Sequence, residues 1–342
     1  MYISYVKKSY LFLLLISASA AAYNLQPYPD KAALMLVTAH ADDEGIFFGG
    51  AIPYYSLEKH LPVIVVCMSH DSGDSRADEL RCAVWTYGCR YEPVFGGFGD
   101  CCFEQDMVCN WQCWGGKDTA VAFVCAQIRR FKPDVVLCHD FGGEYGHPNH
   151  IGAAIAATEA CLASKDSTKF AGQLTELDVW DVKKCYVHML DSNQMTHSWD
   201  IECGSLDGRT LREIVSEGLG CHASQGAHTK CINGCNGEYA AWPAENWGLF
   251  YTSVGKDSIA KDNFFENVDI SGYAAKNYAK KRFLIYSRAN AFQDSYNLQG
   301  QKVSSLAGDR TARAARFTLP SGTYIYTGSV DKRRVSGAAI KF

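Results

Sequence analysis

The stretch AALMLVTAHADDE, residues 32–44, joins an apolar run to a cluster of ionisable side chains. Residues 32–38 have the length and the apolar content of a buried strand. A second stretch of this kind lies further along the chain, where the apolar run 135–138 is followed by GEYGHPNH, residues 143–150. Open α/β sheets bind their ligands at the carboxyl ends of strands, so both polar segments are expected at one edge of a sheet.

Predicted strands and helices alternate along the chain from residue 31 onward. The predicted strands span 32–38, 62–68, 93–96, 134–138 and 184–190, and the predicted helices span 45–58, 74–87, 119–131, 150–163 and 210–218. This alternation predicts an α/β fold, a Rossmann-like three-layer α/β/α sandwich with a mostly parallel sheet. No GxGxxG pattern follows the first predicted strand, so a dinucleotide cofactor is not expected.

Length, composition and charge restrict the class of protein. The chain has 342 residues, of which 47% are hydrophobic and 20% are charged, and its formal net charge is -4. Such a chain can bury a substantial core in one large domain or in two unequal ones. The small net charge and the lack of a long basic run argue against a nucleic-acid partner. The sequence does not predict the oligomeric state.

The beginning of the chain has the features of a targeting segment. Lys7 and Lys8 precede the apolar stretch 11–16 and the small residues 18–20, which predicts a signal peptide over 1–22. The apolar stretch is shorter than the roughly 20 residues of a membrane-spanning helix. The protein is therefore expected to be secreted or held at the cell surface. An uncleaved signal that anchors the protein in the membrane is the alternative.

The composition changes again toward the end of the chain. Residues 23–285 are expected to form the main domain, and 286–342, with short strands between Gly and Pro turns, a small all-β module. The segments YNLQGQKV, 296–303, and LPSGTYIY, 319–326, resemble the C-terminal sorting modules of Bacteroidetes-type secreted proteins. A β-module that packs on the main domain is the alternative.

The fifteen cysteines agree with export. They include two clusters in loops, Cys101, Cys102, Cys109 and Cys113 in one and Cys221, Cys231 and Cys235 in the other. In an oxidising compartment such clusters predict disulfides, and a second, structural zinc site is the alternative. Cys67 and Cys138 lie inside apolar strand runs and are expected to be buried free thiols.

The two polar segments together contain the residues of a catalytic zinc site. His40 and Asp43 are three residues apart, so one turn of backbone can aim both side chains at one point. His150 would complete three protein ligands and leave one position open, as catalytic zinc sites do. Bound zinc lowers the pKa of its water from 15.7 to about 7, and Asp42 is placed to take the proton. His147 is placed to donate a hydrogen bond to an oxyanion or to protonate a leaving amine.

These segments resemble the LmbE-like, or PIG-L-type, superfamily of N-acetylglucosaminyl deacetylases. The family patterns A-H-P-D-D-E and H-P-D-H correspond to residues 39–44 and 147–150. Two further matches are Arg76 with Glu79 and the later segment His222-Ala223-Ser224-Gln225. The resemblance spans roughly residues 31–255. It implies a sugar contact for Arg76, a general base in Asp42, an oxyanion or acid group in His147, and the zinc ligands His40, Asp43 and His150.

Two residues depart from the family pattern without removing a ligand or the base. Ala41 replaces the usual Pro, which releases a backbone φ that proline would hold near about −65°. Asn149 replaces the usual Asp between the two His, so the surroundings of the metal lose one charge.

Several other polar and aromatic residues have two interpretations. Asp100 follows the third predicted strand and could bind a sugar hydroxyl, and His139-Asp140 also ends a strand near the expected site. Trp111 and Trp114 could stack on a sugar ring or pack inside their loop. The sequence predicts no special role for the remaining histidines that the argument has not used, which are His60, His70, His188, His197 and His228.

Three functions follow from these observations. The leading one is a zinc-dependent hydrolase that removes acetyl from an N-acetylated amino sugar or glycoconjugate. The second is a zinc amidase that acts on another amide, such as a thiol conjugate. The third is a carbohydrate-binding protein on a degenerate enzyme fold, against which the intact ligands and base argue.

Overall fold

The computed structural model describes residues 28–102, 105–225 and 239–273, together with the backbone of four short strands beyond residue 293. The chain divides into two compact units, one of which is Leu25–Asn277 and the other Met1–Asn24 with Tyr278–Phe342. The predicted signal peptide over 1–22 lies outside the described residues.

A seven-stranded sheet forms the centre of the larger unit. Its strands are β1 (Leu34–Thr38), β2 (Val63–Ser69), β3 (Val94–Phe98), β4 (Val135–Cys138), β5 (Lys184–His188), β6 (Gln194–Thr196) and β9 (Asn246–Thr252). They lie in the order β3-β2-β1-β4-β5-β9-β6. The pairs formed among the first five strands are parallel, whereas β9 is antiparallel to both β5 and β6. Two short strands, β7 (Glu202–Cys203) and β8 (Arg209–Thr210), form a separate antiparallel pair.

The central strands are continuous apolar runs because helices cover both faces of the sheet. Every residue of β1, β2, β4 and β5 is buried, as is typical of parallel strands. Leu34 in β1 lies beside Val63 on one side and Val135 on the other. This register brings the carboxyl ends of β1, β2 and β4 to one edge of the sheet. The predicted α/β/α fold is confirmed.

The helices pack on this sheet at positions close to the predicted ones. They are Asp43–Ile46, Ala51–Pro53 with a π-helical turn Tyr54–Glu58, Ser75–Thr86, Met107–Cys113, Lys117–Phe131, Pro148–Ala163 and Leu211–Leu219, with 3-10 turns at Ala171–Thr175 and Gly204–Leu206. Asp74 caps the helix Ser75–Thr86 by accepting from the Ala77 N–H, a position at which Asp is a preferred residue.

The single helix predicted over 45–58 is wrong, since this segment is broken into short pieces. The break lies at Gly49, which has a φ of 48° and faces the indole ring of Trp199. A φ of this sign lies outside the right-handed helical region, so the helix cannot continue through Gly49, and the nearby indole ring leaves no room for a side chain there. The short first piece, Asp43–Ile46, therefore starts directly after β1.

Three disulfides cross-link the described part of the chain. Cys101 bonds to Cys113, Cys102 to Cys109 and Cys82 to Cys221. The first two confirm that the cluster 101–113 forms disulfides. The partner of Cys221 is in the helix Ser75–Thr86 and not in its own sequence cluster, whose other members lie outside the described residues. Cys67 and Cys138 are buried free thiols, as predicted.

The smaller unit contains two β-hairpins. Its strands are β10 (Asp294–Tyr296), β11 (Lys302–Ser305), β12 (Ile325–Val330) and β13 (Arg333–Ala338), paired antiparallel as β10 with β11 and β12 with β13. A sorting role for this unit stays a prediction, and so does the domain boundary at 285. No helix among the described residues is long and apolar enough to cross a membrane.

Candidate metal centre and active site

Three side chains meet where the loops after β1 and β4 approach each other. His40 Nδ1 lies 3.2 Å from Asp43 Oδ2 and 3.2 Å from His150 Nε2, and the last two atoms are 3.4 Å apart. A tetrahedral ion with bonds near 2.0 Å separates its ligand atoms by about 3.3 Å. All three residues are buried. The three atoms, which we call the metal trio, therefore have the spacing of ligands around a tetrahedral metal ion.

A buried carboxylate behind the metal trio fixes the orientation of His150. Glu144 Oε2 lies 2.7 Å from His150 Nδ1, so that nitrogen carries the proton and Nε2 presents its lone pair to the metal trio. The same carboxylate contacts Nδ1 of His139 at 3.1 Å and Nδ1 of His188 at 2.8 Å. Burial alone would raise the pKa of Glu144, but its histidine partners hold that pKa well below its usual value.

His139 lies beside the metal trio, but neither of its ring nitrogens is available as a further metal ligand. The backbone N–H of Ala39 donates to His139 Nε2 at 3.0 Å, and Nδ1 faces Glu144. Both ring nitrogens are therefore occupied, although Nε2 is only 3.4 Å from Asp43 Oδ2. Of the two interpretations that the sequence left open for His139, the structure places it beside the metal trio.

Asp42, the predicted base, projects from a strained backbone next to the metal trio. Its φ is 129°, which non-glycine residues rarely adopt and which is typical of functional sites. Burial and the neighbouring carboxylate of Asp43 raise its pKa to about 6, although the guanidinium of Arg76 acts in the opposite direction. Arg76 Nη2 donates to Asp42 Oδ1 at 3.1 Å and also to the Ala41 carbonyl. Arg76 therefore lies at the site as an ion-pair partner of the base.

Glu44, the last residue of the segment 39–44, holds the backbone of Asp42 in place. Glu44 Oε2 accepts the backbone N–H of Asp42 at 2.8 Å, and Glu44 Oε1 lies 2.7 Å from His222 Nε2. Ser224, two residues on, donates to Glu79 through its backbone and its hydroxyl. The segment 222–225 therefore contacts Glu79, so the two further matches to the family pattern touch each other. Together with the contact to Glu44, this agrees with a structural role for His222.

His147, the predicted oxyanion or acid group, caps the helix Pro148–Ala163. Its Nδ1 accepts the backbone N–H of Asn149 at 3.2 Å, so the proton of the neutral ring lies on Nε2. Its ring is 4.6 Å from that of His40 and 4.9 Å from that of His150. Burial and these two histidines lower the pKa of His147 to about 4. The ring is thus a neutral N–H donor beside the metal trio.

Asp100 lies on the far side of His40 and His147 from the metal trio. Its Oδ1 is 3.6 Å from His40 Nε2, 3.7 Å from His147 Nε2 and 3.3 Å from Asn149 Nδ2. Its side chain is 44% exposed, so it also faces the solvent. The structure therefore brings together every residue that the sequence predicts for the site.

Aromatic rings surround the open side of the site. Tyr145 is 46% exposed, and its ring lies 5.3 Å from that of His150 and 5.9 Å from that of Trp242. Trp114, in contrast, is buried and packs against Phe98 and Trp111. Loop packing is therefore the role of Trp114. Tyr145, which contacts the ring of His150, was not predicted from the sequence.

The buried residues Glu144 and His188, which contact the site from behind, were not predicted from the sequence either. Glu144 lies inside the quoted segment 143–150, but its neighbours in sequence do not indicate that three histidines converge on it. A usable signal is that His188 ends β5 and His139 follows β4, because the carboxyl ends of parallel strands share one edge of the sheet. Among the other histidines without a predicted role, His228 lies outside the described residues.

Known proteins resemble the part of the chain that carries the site. Residues 35–161 match the PIG-L family, described as GlcNAc-PI de-N-acetylase. The chain is 29% identical over 181 residues to a 1D-myo-inositol 2-acetamido-2-deoxy-alpha-D-glucopyranoside deacetylase of Catenulispora acidiphila, covering 45% of this chain and 54% of that protein. It is 31% identical over 166 residues to the protein of that name from Actinosynnema mirum, covering 38% of this chain and 55% of that protein.

Among solved structures, the N,N'-diacetylchitobiose deacetylase from Pyrococcus horikoshii has a TM-score of 0.44 and 16% identity, over 70% of this chain and 91% of that chain. The chain spans about half the length of the curated relatives that it matches. The family match contains both segments of the metal trio, so the part of the chain that carries the site is similar to the PIG-L, or LmbE-like, deacetylases.

Proposed function

We propose that this protein is a zinc-dependent hydrolase that removes the acetyl group from an N-acetylated amino sugar. The observation that carries the proposal is the metal trio with an acidic and an imidazole group beside it. The spacing of the three ligand atoms matches a tetrahedral ion, and Asp42 and His147 are the neighbouring groups that proton transfer requires.

The donor set favours zinc over the harder divalent cations. His40 and His150 offer ring nitrogens and Asp43 offers an oxygen, whereas magnesium and calcium prefer oxygen ligands alone. When bound, a zinc ion supplies a Lewis acid that polarises a carbonyl group and makes a water molecule more acidic.

The chain's own residues divide the proton transfers between them. Asp42 accepts a proton from the attacking water, and a pKa of about 6 suits a base that works near neutral pH. Arg76 keeps the Asp42 carboxylate in place through its hydrogen bond to Oδ1. As the amide C–N bond breaks, the protonated Asp42 carboxyl returns this proton to the nitrogen of the leaving amine.

His147 acts on the acyl oxygen. Since Nδ1 accepts from the backbone of Asn149, the Nε2–H is free to donate to the oxygen as negative charge develops on it. Its lowered pKa keeps the ring neutral, so it donates a hydrogen bond without adding a positive charge beside the metal. A hydrogen-bond donor in this position typically contributes a factor of about 10²–10³ to the rate.

The substrate class is inferred from the relatives and from the open side of the site. Both curated relatives are named as deacetylases of a 2-acetamido-2-deoxy-glucopyranoside. Arg76 and Asp100 are the polar groups proposed to contact sugar hydroxyls, and the exposed ring of Tyr145 offers an apolar face. An N-acetylated sugar or glycoconjugate is thus the proposed partner.

We also propose that the protein works outside the cytoplasm, by secretion or at the cell surface. The supporting observation is the set of three disulfides, which persist in oxidising compartments and are rare in the cytosol.

The test is acetate release from a panel of N-acetylated sugars and one N-acetylated thiol conjugate. We expect release from the amino sugars by the zinc-loaded protein and none after chelation. The matched control is His40→Ala, which removes one atom of the metal trio and should lose both zinc and activity. Release from the thiol conjugate alone would favour the other amidase, and sugar binding without release would favour the carbohydrate-binding protein.

A further inference from the structure

A disulfide and a side-chain contact fasten residues 221–225 to the helix that follows β2. Cys221 bonds to Cys82, which lies 139 residues earlier in the chain. Ser224 donates to Glu79 through its backbone N–H at 2.9 Å and through its hydroxyl at 2.7 Å. Cys82 and Glu79 are three residues apart, so both lie on one face of that helix. We call residues 221–225 the bridged segment.

His222 lies between these two anchors and contacts a buried carboxylate. Its Nε2 is 2.7 Å from Glu44 Oε1, and the side chains of both residues are fully buried. A carboxylate in such a place is costly unless it is paired. The bridged segment therefore supplies the partner that Glu44 needs, although the two residues are far apart in the sequence.

The other oxygen of Glu44 holds the backbone of the base. Glu44 Oε2 accepts the Asp42 N–H at 2.8 Å. Asp42 has a φ of 129°, and a conformation of this kind persists only where its surroundings impose it. The hydrogen bond to Glu44 is one such restraint, and the bond from Arg76 to the Ala41 carbonyl is another. The position of the base thus depends on Glu44, and Glu44 depends on His222.

The disulfide is the stronger of the two anchors of the bridged segment. Residues 223–225 are exposed, whereas both cysteines are half-buried. The bonds from Ser224 to Glu79 therefore lie at the surface, where water competes for the same groups and such contacts contribute little. Without the covalent link, these surface bonds would be left to hold the outer end of the segment.

We propose that His222 is a positioning residue for the base Asp42, and that catalysis requires the Cys82–Cys221 disulfide because it keeps His222 against Glu44. In the described part of the chain, the atoms of the metal trio contact one another and the segment after β4 rather than the bridged segment. The loss of this disulfide should therefore slow catalysis without releasing zinc. The inference rests on the proposed function where it concerns catalysis, whereas the bond from Asp42 to Glu44 can be measured without turnover.

The test compares the wild-type protein with Cys82→Ser combined with Cys221→Ser, with His222→Leu, and with the triple variant, all loaded with zinc. We expect kcat for acetate release to fall about 10- to 100-fold in each, with little change in KM or zinc affinity, because a misplaced base slows the chemical step alone. The triple variant should be no slower than His222→Leu, since both changes act through one contact. His222→Gln, whose amide can still donate to Glu44, should recover most of kcat.

Cys125→Ser is the control for a general loss of stability. Cys125 is a buried free thiol in the helix Lys117–Phe131, outside the bridged segment and the site. A hydroxyl placed there should lower the midpoint of urea unfolding and leave kcat unchanged. A fall in kcat that appears in this control as well would show that stability, and not the position of the base, governs the rate, and would overturn the proposal.

Hydrogen exchange at the Asp42 N–H provides a measurement that does not need turnover. It should be at least about tenfold faster in the disulfide-free variant and in His222→Leu, because the acceptor on Glu44 is no longer held. Unchanged exchange in the disulfide-free variant, or additive losses of kcat in the triple variant, would overturn the proposal. If the wild-type protein releases no acetate, the proposed function fails, while the exchange rates still decide whether the disulfide holds Asp42.

Discussion

Replacing Glu144 with Gln should weaken metal binding through a change of proton position on His150. Glu144 accepts from four donors, which are the Nδ1–H groups of His139, His150 and His188 and the backbone N–H of Asp140. Three of these donors contact Oε1, one of which, His139 Nδ1, is also 3.1 Å from Oε2, and His150 contacts only Oε2, at 2.7 Å. The amide therefore keeps most of its bonds when its oxygen replaces Oε1 and its NH2 group replaces Oε2.

In that orientation the NH2 group faces Nδ1 of His150. Two donors cannot bond, so His150 must shift its proton from Nδ1 to Nε2, the atom that belongs to the metal trio. We expect zinc affinity to fall by about 10- to 100-fold. Without metal, the hydrogen bonds to a buried carboxylate become weaker ones to a neutral amide, which should lower the unfolding free energy by about 1.5–3 kcal/mol.

The measurements are zinc competition with a chelator and urea unfolding in the presence of that chelator. Glu159→Gln is the matched control, because it makes the same chemical change at an exposed ion pair with Lys117. That control should change stability by less than about 1 kcal/mol. Wild-type zinc affinity in Glu144→Gln would refute the argument that Glu144 sets the tautomer of His150.

Three further results are expected. Asp42→Asn should keep its zinc and lose activity by about a hundredfold or more, because it removes only the base; loss of zinc would make Asp42 a ligand. Arg76→Met should move the acid limb of the kcat/KM profile to higher pH, because the guanidinium lowers the pKa of Asp42, and an unmoved limb would exclude Asp42 as the titrating base. Deleting 286–342 should leave acetate release and the melting temperature of the main domain nearly unchanged while export or retention changes; an inactive truncated protein would place the tail in the catalytic fold.

The parallel half of the sheet could be predicted because burial on both faces makes each strand a continuous apolar run. β1, β2 and β4 have this property, and their predicted and observed bounds differ by at most two residues at either end. β9 was missed because its sequence NWGLFYT mixes buried and exposed positions without a clear period. Its place between β5 and β6 depends on pairing with neighbours distant in sequence, which local composition does not encode.

The metal trio could be predicted for a related reason. His40 and Asp43 are close in sequence, and the segment around His150 follows a strand that adjoins β1, so the topology alone brings them together. Glu144 and His188 could not be assigned roles in this way. Their importance comes from a shared hydrogen-bonded centre that exists only when the loops after β4 and β5 meet.

Buried charge explains why the three metal-ligand residues are surrounded by many hydrogen-bonded side chains. Asp43, Glu44 and Glu144 are all buried, and an isolated carboxylate in such a place is costly unless it is paired. Each is instead matched with histidine rings, whose opposite nitrogens then have fixed proton positions. The same partners that make the buried carboxylates tolerable thereby decide which nitrogen atoms are free for the metal. A substitution behind the metal trio is therefore expected to act on metal binding and on stability together, through one change in proton position.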